Sequence, residues 1–350
     1  MPNPTVVFKK VGSATAAGVR AAVETVLADA GLESLAGKRI FLKINAMSRE
    51  VLPGRNTSPW VLDAVLAYLR ARVSGLELMV GDADAAGFRQ LHDAWRNWGY
   101  AEIARRYQAR LVNLSDEEFV PVAIESPLCS SLELPRVVME ADAILNLPVL
   151  KTHVLTGITG CLKNHWGLLP RLRYQHHVHV AEFIAEINAL IRQTVYNLVD
   201  ATVAIEGSGP KTGRPRTCGV IVGGSDRVAV DAALLAFMSL PEDLAPHVAL
   251  SERRGVGTRA FQVAGDGFAP VRFEPPSVGK DVVSLLERKL RGLPVLGPHF
   301  YHPRVASVLG LVGTKYNELV WFRLVGRRLV REFLENSAYR AEFEPLCARG

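Results

Sequence analysis

The chain is predicted to fold as an α/β protein, a mostly parallel sheet with helices on both faces, plus a C-terminal helical extension. Three observations lead there. Short aliphatic runs alternate with Ala/Leu-rich segments of helical periodicity. Several runs are apolar throughout, as strands covered on both faces are. Polar residues collect where the runs end, the edge at which such sheets gather ligands. At 350 residues, 49% hydrophobic and 22% charged, the chain has the means to bury an ordinary core.

Thr5–Val11 reads as a strand, Ala14–Ala30 as a helix, and Arg39–Ile44 as a second strand running into an irregular segment, 45–56. Thr57-Ser58-Pro59 then opens a helix, because a hydroxyl suits the N-cap and proline suits the first helical position. Leu76–Val80 is a strand ending in Gly81-Asp82-Ala83-Asp84, Leu91–Ala109 a helix, and Arg110–Leu114 a strand. Ala143–Val149 leads into a histidine-rich segment. Val180–Gln193 is helical, Tyr196–Ile205 and Cys218–Val222 are strands, and Ala229–Met238 is a helix capped by Gly223-Gly224-Ser225-Asp226. From about Gly279 the texture changes. Residues 293–303 are rich in Gly, Pro and aromatics and read as a loop, and Lys315–Glu335 is an apolar helix whose basic face carries Arg323, Arg327, Arg328 and Arg331. Such a helix can lie on an anionic membrane surface; packing of its apolar side on the domain is the favoured expectation. The expected division is an α/β catalytic domain at 1–278 and a loop-plus-helix extension at 279–350.

A net charge of +6 favours anionic ligands weakly. No long basic run with interleaved aromatics supports nucleic-acid binding. Cys129, Cys161, Cys218 and Cys347 form no CxxC pair, which argues against a zinc ribbon or an iron–sulfur segment. Unpaired cysteines, no signal pattern at Met1-Pro2-Asn3-Pro4 and no run of about 20 apolar residues lead to the expectation of a soluble cytoplasmic protein. Oligomeric state is not legible.

Five of the nine histidines fall between residues 150 and 179, with Lys151, Lys163, Arg171 and Arg173 among them. Histidine is the side chain most easily tuned to move protons or hold a metal near neutral pH. His153, after a strand, suits a general acid or base. Lys163 follows across a small, flexible linker and can neutralise a carboxylate or form a covalent adduct. Lys43 and Asn45 close one strand on the same side, two residues apart. If extended, His176-His177-Val178-His179 puts His177 and His179 on one face, a two-ligand spacing for a divalent transition metal, with Asp82, Asp84, Asp200 or Glu206 as further ligands. Glu206 opens a Gly-rich turn around Lys211 able to wrap a phosphate or carboxylate, though its spacing is not that of a P-loop. Structural explanations compete at each position: a hydrogen-bonded core histidine, a solvated lysine, an ordinary tight turn. Cys161 reads as a buried thiol.

Lys43-Ile44-Asn45, Thr57-Ser58-Pro59, Leu150-Lys151-Thr152-His153, Lys163-Asn164 with Gly167, Val199-Asp200, Glu206 through Gly213, and Gly224-Ser225-Asp226 with Asp231 together resemble the domain of unknown function 362 family, over roughly residues 38–240. Many of its relatives carry an inserted ferredoxin-like cysteine set, absent here. Arg55-Asn56-Thr57, His153, Lys163 and His179 are similar in spacing to the lactate racemase family. There the matching lysine carries the cofactor covalently, the last histidine ligates nickel, and the residue matching His153 is an acid/base. A histidine expected after the Leu76–Val80 strand is replaced by Asp82 and Asp84, so the resemblance implies a layout and not the racemase reaction.

The function expected is acid/base chemistry of isomerase or lyase type, with or without a metal, on a small anionic molecule, in a biosynthetic setting. His153, Lys163, Lys43 and Asn45 would be catalytic; Arg55, Lys151, Asn164, Glu206 and Lys211 would bind substrate; His177, His179 and Asp82 would hold a metal. The alternatives are a redox component linked to iron or flavin, and a non-catalytic anion- or metal-binding module.

Overall fold

A ten-stranded, mostly parallel mixed sheet carries the fold in the computed structural model, which describes residues 2–84, 89–277 and 302–349. Its elements run β1 (Thr5–Lys10), α1 (Ala16–Leu27), β2 (Arg39–Ile44), α2 (Pro59–Arg72), β3 (Glu77–Asp82), α3 (Leu91–Asn97), α4 (Tyr100–Arg106), β4 (Ala109–Asn113), β5 (Phe119–Ala123), β6 (Ser131–Pro135), α5 (Arg136–Met139), β7 (Ala143–Leu147), β8 (Val149–His153), β9 (Gly157–Thr159), α6 (Cys161–Asn164), α7 (Val180–Leu190), β10 (Thr194–Glu206), β11 (Arg214–Gly224), α8 (Arg227–Phe237), α9 (Pro246–Arg253) and β12 (Gln262–Gly265). Strand order is β12-β1-β11-β10-β7-β2-β3-β4, with β8 beside the far end of β10 and β9 beside β8. From β10 to β4 every neighbour is parallel; β11 runs antiparallel to both β10 and β1.

The strands are apolar throughout because both faces are buried. Ile40, Leu42 and Ile44 of β2 enter the core under α1 and α2, while Phe41 enters the opposite core under α7 and α8. The same alternation holds for Leu78 and Val80 against Met79, and for Ala143, Leu145 and Leu147 against Ile144. Pro59 takes the first position of α2, as its fixed φ favours. The Ser58 hydroxyl makes no capping bond; the Asp200 carboxylate of β10 accepts the Ser58 N–H at 2.8 Å instead.

Three differences from the sequence expectations have local causes. The helix expected over 91–109 breaks into α3 and α4, because Gly99 adopts φ 74° between them. The β5–β6 hairpin pairs outside the main sheet and follows no strong alternation in the chain. The loop expected at 293–303 lies, up to residue 301, outside the described residues; a helical run then extends from Pro303 to Asn336, π-wound over Asn317–Gly326. A last helix, Arg340–Cys347, folds back on α2. Phe333, Tyr339, Phe343 and Leu346 enter the same core as Trp60 and Trp98, so the end of the chain is packed into the α2 side of the sheet. No helix among the described residues is long and apolar enough to cross a membrane.

Phe343 sits edge-on to Trp60, Trp98 and Phe333 at centroid separations of 4.8, 6.5 and 5.5 Å. Phe343→Ala should therefore destabilise the whole fold by about 3–5 kcal/mol, the cost of a large aromatic cavity. Chemical denaturation should show one cooperative transition shifted to lower denaturant, not separate melting of the C-terminal helices.

Candidate functional site

The carboxyl ends of β2, β3, β7 and β8 and the first half of β10 meet in a layer of buried polar side chains. Asparagines organise it. Lys43, Asn146, Asn197 and Gly224 lie in one cross-strand row. Asn197 Nδ2 donates to Gly224 O at 3.1 Å, Asn146 Nδ2 to Asn197 Oδ1 at 3.0 Å, and Asn164 Nδ2 to Asn146 Oδ1 at 2.8 Å and Lys43 O at 3.1 Å. Asn45 Nδ2 then donates to Asn164 Oδ1 at 3.1 Å, and Lys151 Nζ to Asn45 Oδ1 at 2.6 Å. The chain of amides holds α6 and the loop after β2 in fixed positions.

Three lysines hang from this frame in different electrostatic states. Lys43, fully buried on β2, donates to Asp82 Oδ1 at 2.6 Å and Ile44 O at 2.8 Å. Burial lowers its pKa although the Asp82 carboxylate pulls the other way. Asp82 also accepts the Ala46 and Ala83 N–H groups at 2.7 and 2.8 Å. Gly167 lies beside this pair: a Cβ there would come within 2.7 Å of Asp82 Oδ1 and 3.0 Å of Lys43 Nζ. Lys151 reaches Asn45 Oδ1 and Arg55 O, and burial, with Arg55 nearby, brings its pKa down to about 7.

Lys163 is the exception. It is 7% exposed, and its Nζ has no hydrogen-bond partner. The amine rests 4.1 Å above the Trp166 ring. Burial pushes its pKa well below the lysine range, and Arg173 pushes the same way. Three imidazoles lie near enough to feel its charge. Burial and then Lys163 hold His153 and His177 well below the ordinary histidine pKa, and bring His247 down to about 3. The Leu155 N–H donates to His153 Nδ1 at 3.1 Å, so the neutral ring carries its proton on Nε2. His247, on α9, is fully buried with neither ring nitrogen hydrogen-bonded. His177 sits 5.2 Å from the Trp166 ring. Arg173 binds Asp84 O at 2.8 Å, and its other terminal nitrogen, Nη1, is buried without a partner.

The structure thus gathers Lys43, Asn45, Asp82, Lys151, His153, Lys163, Asn164 and His177. Arg55 joins through its backbone; its Nη1 donates to Ser48 (2.9 Å) and Glu50 (3.4 Å) and its Nη2 to Lys211 O (2.5 Å), under Trp321 and Phe322, while Nε is buried without a partner. Lys211 borders that guanidinium, and burial lowers its pKa. Glu206 stands apart, paired with Arg216 at 2.6 Å and accepting the Glu274 N–H at 3.1 Å.

The expectation of an extended stretch with His177 and His179 on one face is corrected. Residues Arg173–His179 form a 3-10 turn, and the His179 side chain is 51% exposed beside Glu182 at 3.9 Å. Asp82 is occupied by Lys43 and two backbone donors. Among the described residues no group of three or more His, Cys, Asp or Glu side chains is arranged for a metal. Among the described residues His177, His179 and Asp82 therefore do not converge as a metal-binding set. Asp84 accepts the Gln90 and Leu91 N–H groups at 2.8 and 2.9 Å, and Asp200 holds Ser58 and Thr202, so both are structural. Cys161 is buried with its pKa well above the thiol range, and Asp231, brought up to about 7 by burial, accepts the Cys161 and Leu162 N–H groups. Sequence reasoning missed His247 entirely: it lies more than eighty residues beyond Lys163 with no local pattern around it.

Two outcomes follow. A buried amine without a partner costs stability, so Lys163→Met should stabilise the fold by on the order of 1–3 kcal/mol and raise its melting temperature. Between pH 6.5 and about 3 native His247 binds fewer protons than the unfolded chain, so its contribution is present above pH 6.5 and is lost as pH falls. Denaturation midpoints measured across that window should fall less steeply in His247→Gln.

Comparison with known proteins places the geometry in context. A thylakoid-associated protein of Synechocystis sp. is 27% identical over 236 residues, 65% of this chain and 71% of the relative. Two solved structures are similar to part of the chain: a Thermotoga maritima protein (TM-score 0.42, 13% identity, 68% of this chain and 59% of the other) and the lactate racemase apoprotein of Thermoanaerobacterium thermosaccharolyticum (0.41, 17%, 67% and 57%). The chain thus covers less than two thirds of either solved structure. Residues 40–236 match the family described as Domain of unknown function (DUF362), and the chain belongs to that family.

Proposed function

We propose that this protein is an enzyme of isomerase or lyase type that moves a proton on a small carboxylate or phosphate ester bearing a carbonyl. The observation that carries this is the Lys163 amine, buried without a hydrogen-bond partner among three imidazoles. Burial favours the unprotonated amine, which is a base, so Lys163 is better suited to take a proton than to neutralise charge. The positive charge is supplied by Arg173, whose Nη1 is buried and unpartnered, and by Lys43. His153, with its proton on Nε2, is set to donate to an oxygen as negative charge develops. Lys151, with a pKa of about 7, can exchange a proton with the site near neutrality.

In the forward step Lys163 Nζ accepts the proton from the carbon beside the carbonyl. The C–H electron pair moves into an enolate, and His153 Nε2–H stabilises or protonates the enolate oxygen. Return of the proton at another position gives isomerisation; expulsion of a neighbouring leaving group gives elimination.

The test is hydrogen exchange in D2O across a panel of small 2-oxo and 3-hydroxy acids, read by proton NMR. Wild type should exchange the acidic C–H of at least one. Lys163→Met and His153→Gln should each slow it by about 10²–10⁴-fold. Because the Lys163 pKa is depressed, the wild-type rate should level off well before the ordinary lysine range. Exchange untouched by both substitutions would discard the assignment.

A further inference from the structure

We propose that the outward side of the helical run 303–331 docks flat on the headgroup region of an anionic phospholipid bilayer. The sequence expectation that the apolar side of Lys315–Glu335 packs on the domain holds only in part: Trp321, Phe322 and Phe333 turn inward, while Leu319, Val320, Leu324 and Val325 are exposed. Eight of the eleven large apolar side chains exposed among the described residues lie between 305 and 325. Val308, Val312, Val320 and Leu324 are 59%, 54%, 41% and 72% exposed. They recur at multiples of four residues, and the wider winding of Asn317–Gly326 keeps the last two in line with the first two. The inward side is different: Asn317 and Glu318 are buried, Glu318 binds Arg49 at 3.0 Å, and Trp321 and Phe322 cover Arg55. The apolar stripe is therefore not spare core surface; the helix already has its contact with the domain.

Charge selects the occupant. Residues 302–331 carry six basic residues and one acid, Glu318, which points inward. Arg304, Arg323, Arg327, Arg328 and Arg331 are all exposed, and among the described residues only Arg328 of these five pairs with an acid, Glu332 at 2.7 Å. A two-fold contact between copies of this chain would set these arginines against one another, and protein interface cores are depleted of charge. An anionic headgroup layer pairs with them and accepts valine and leucine at its acyl boundary. No helix among the described residues is long and apolar enough to cross the bilayer, and the proposed mode is one of lying on it. The inward side of the same run meets the loop carrying Arg49 and Arg55, so the docked face lies directly behind one wall of the candidate site.

The test is co-sedimentation of the full chain with phosphatidylcholine vesicles, with and without phosphatidylglycerol. The wild type should pellet with the anionic vesicles only, and added salt should release it. Val312→Glu with Leu324→Glu, and separately Arg323→Glu with Arg327→Glu, should each weaken binding by about tenfold or more. These side chains are exposed, and unchanged circular dichroism checks that each variant is folded. Wild type left in the supernatant with both vesicles overturns the proposal. So does equal binding to neutral vesicles that ignores the arginine reversal. A solution dimer dissociated by Leu324→Glu would assign the face to a second copy and overturn it as well.

Discussion

Removal of water from amines at the carboxyl edge of the sheet is the constraint on which the rest of this molecule turns. A solvated lysine stays charged far above neutral pH; the lysines here do not have that solvent. Lys43 keeps a carboxylate partner, Lys151 keeps two oxygen acceptors, and Lys163 keeps only an aromatic face. One layer thus holds a paired cation, an amine poised near pH 7 and an amine pushed toward neutrality. The same residue type is graded by its partners, and nothing but burial and hydrogen bonding is needed to grade it.

That grading depends on rigid surroundings. A flexible shell would let water or a carboxylate reach Lys163 and restore its charge. The amide chain from Gly224 to Lys151 prevents this by fixing α6 against β2 and β7. Asp231 adds a second tie, receiving the first two N–H groups of α6. The protein gives up stability at Lys163 and recovers it in the amides around it, an arrangement typical of sites built for chemistry.

Much of the frame was legible in the chain. Uniformly apolar runs fixed the sheet as covered on both faces, and the polar residues ending them, Lys43, Asn45, Asp82, Lys151 and His153, do meet. Lys163 was found from its glycine-flanked setting. What the chain hid has a physical reason in each case. His177 and His179 have the spacing of a ligand pair only on extended backbone, and the backbone there is a tight helical turn. His247 arrives from α9 through tertiary packing alone. The apolar stripe of residues 305–325 looks in sequence like a buried face, because periodicity reports that a helix has two sides but not which one meets the protein.

The row Lys43, Asn146, Asn197, Gly224 sets a limit on how such chains can diverge. Adding or deleting one residue within β7 or β10 would turn its asparagine to the opposite face and unlink the rungs beyond it. Length changes should therefore accumulate in surface connections such as 124–130, between β5 and β6, while the spacing inside these strands stays frozen across relatives of very different sequence.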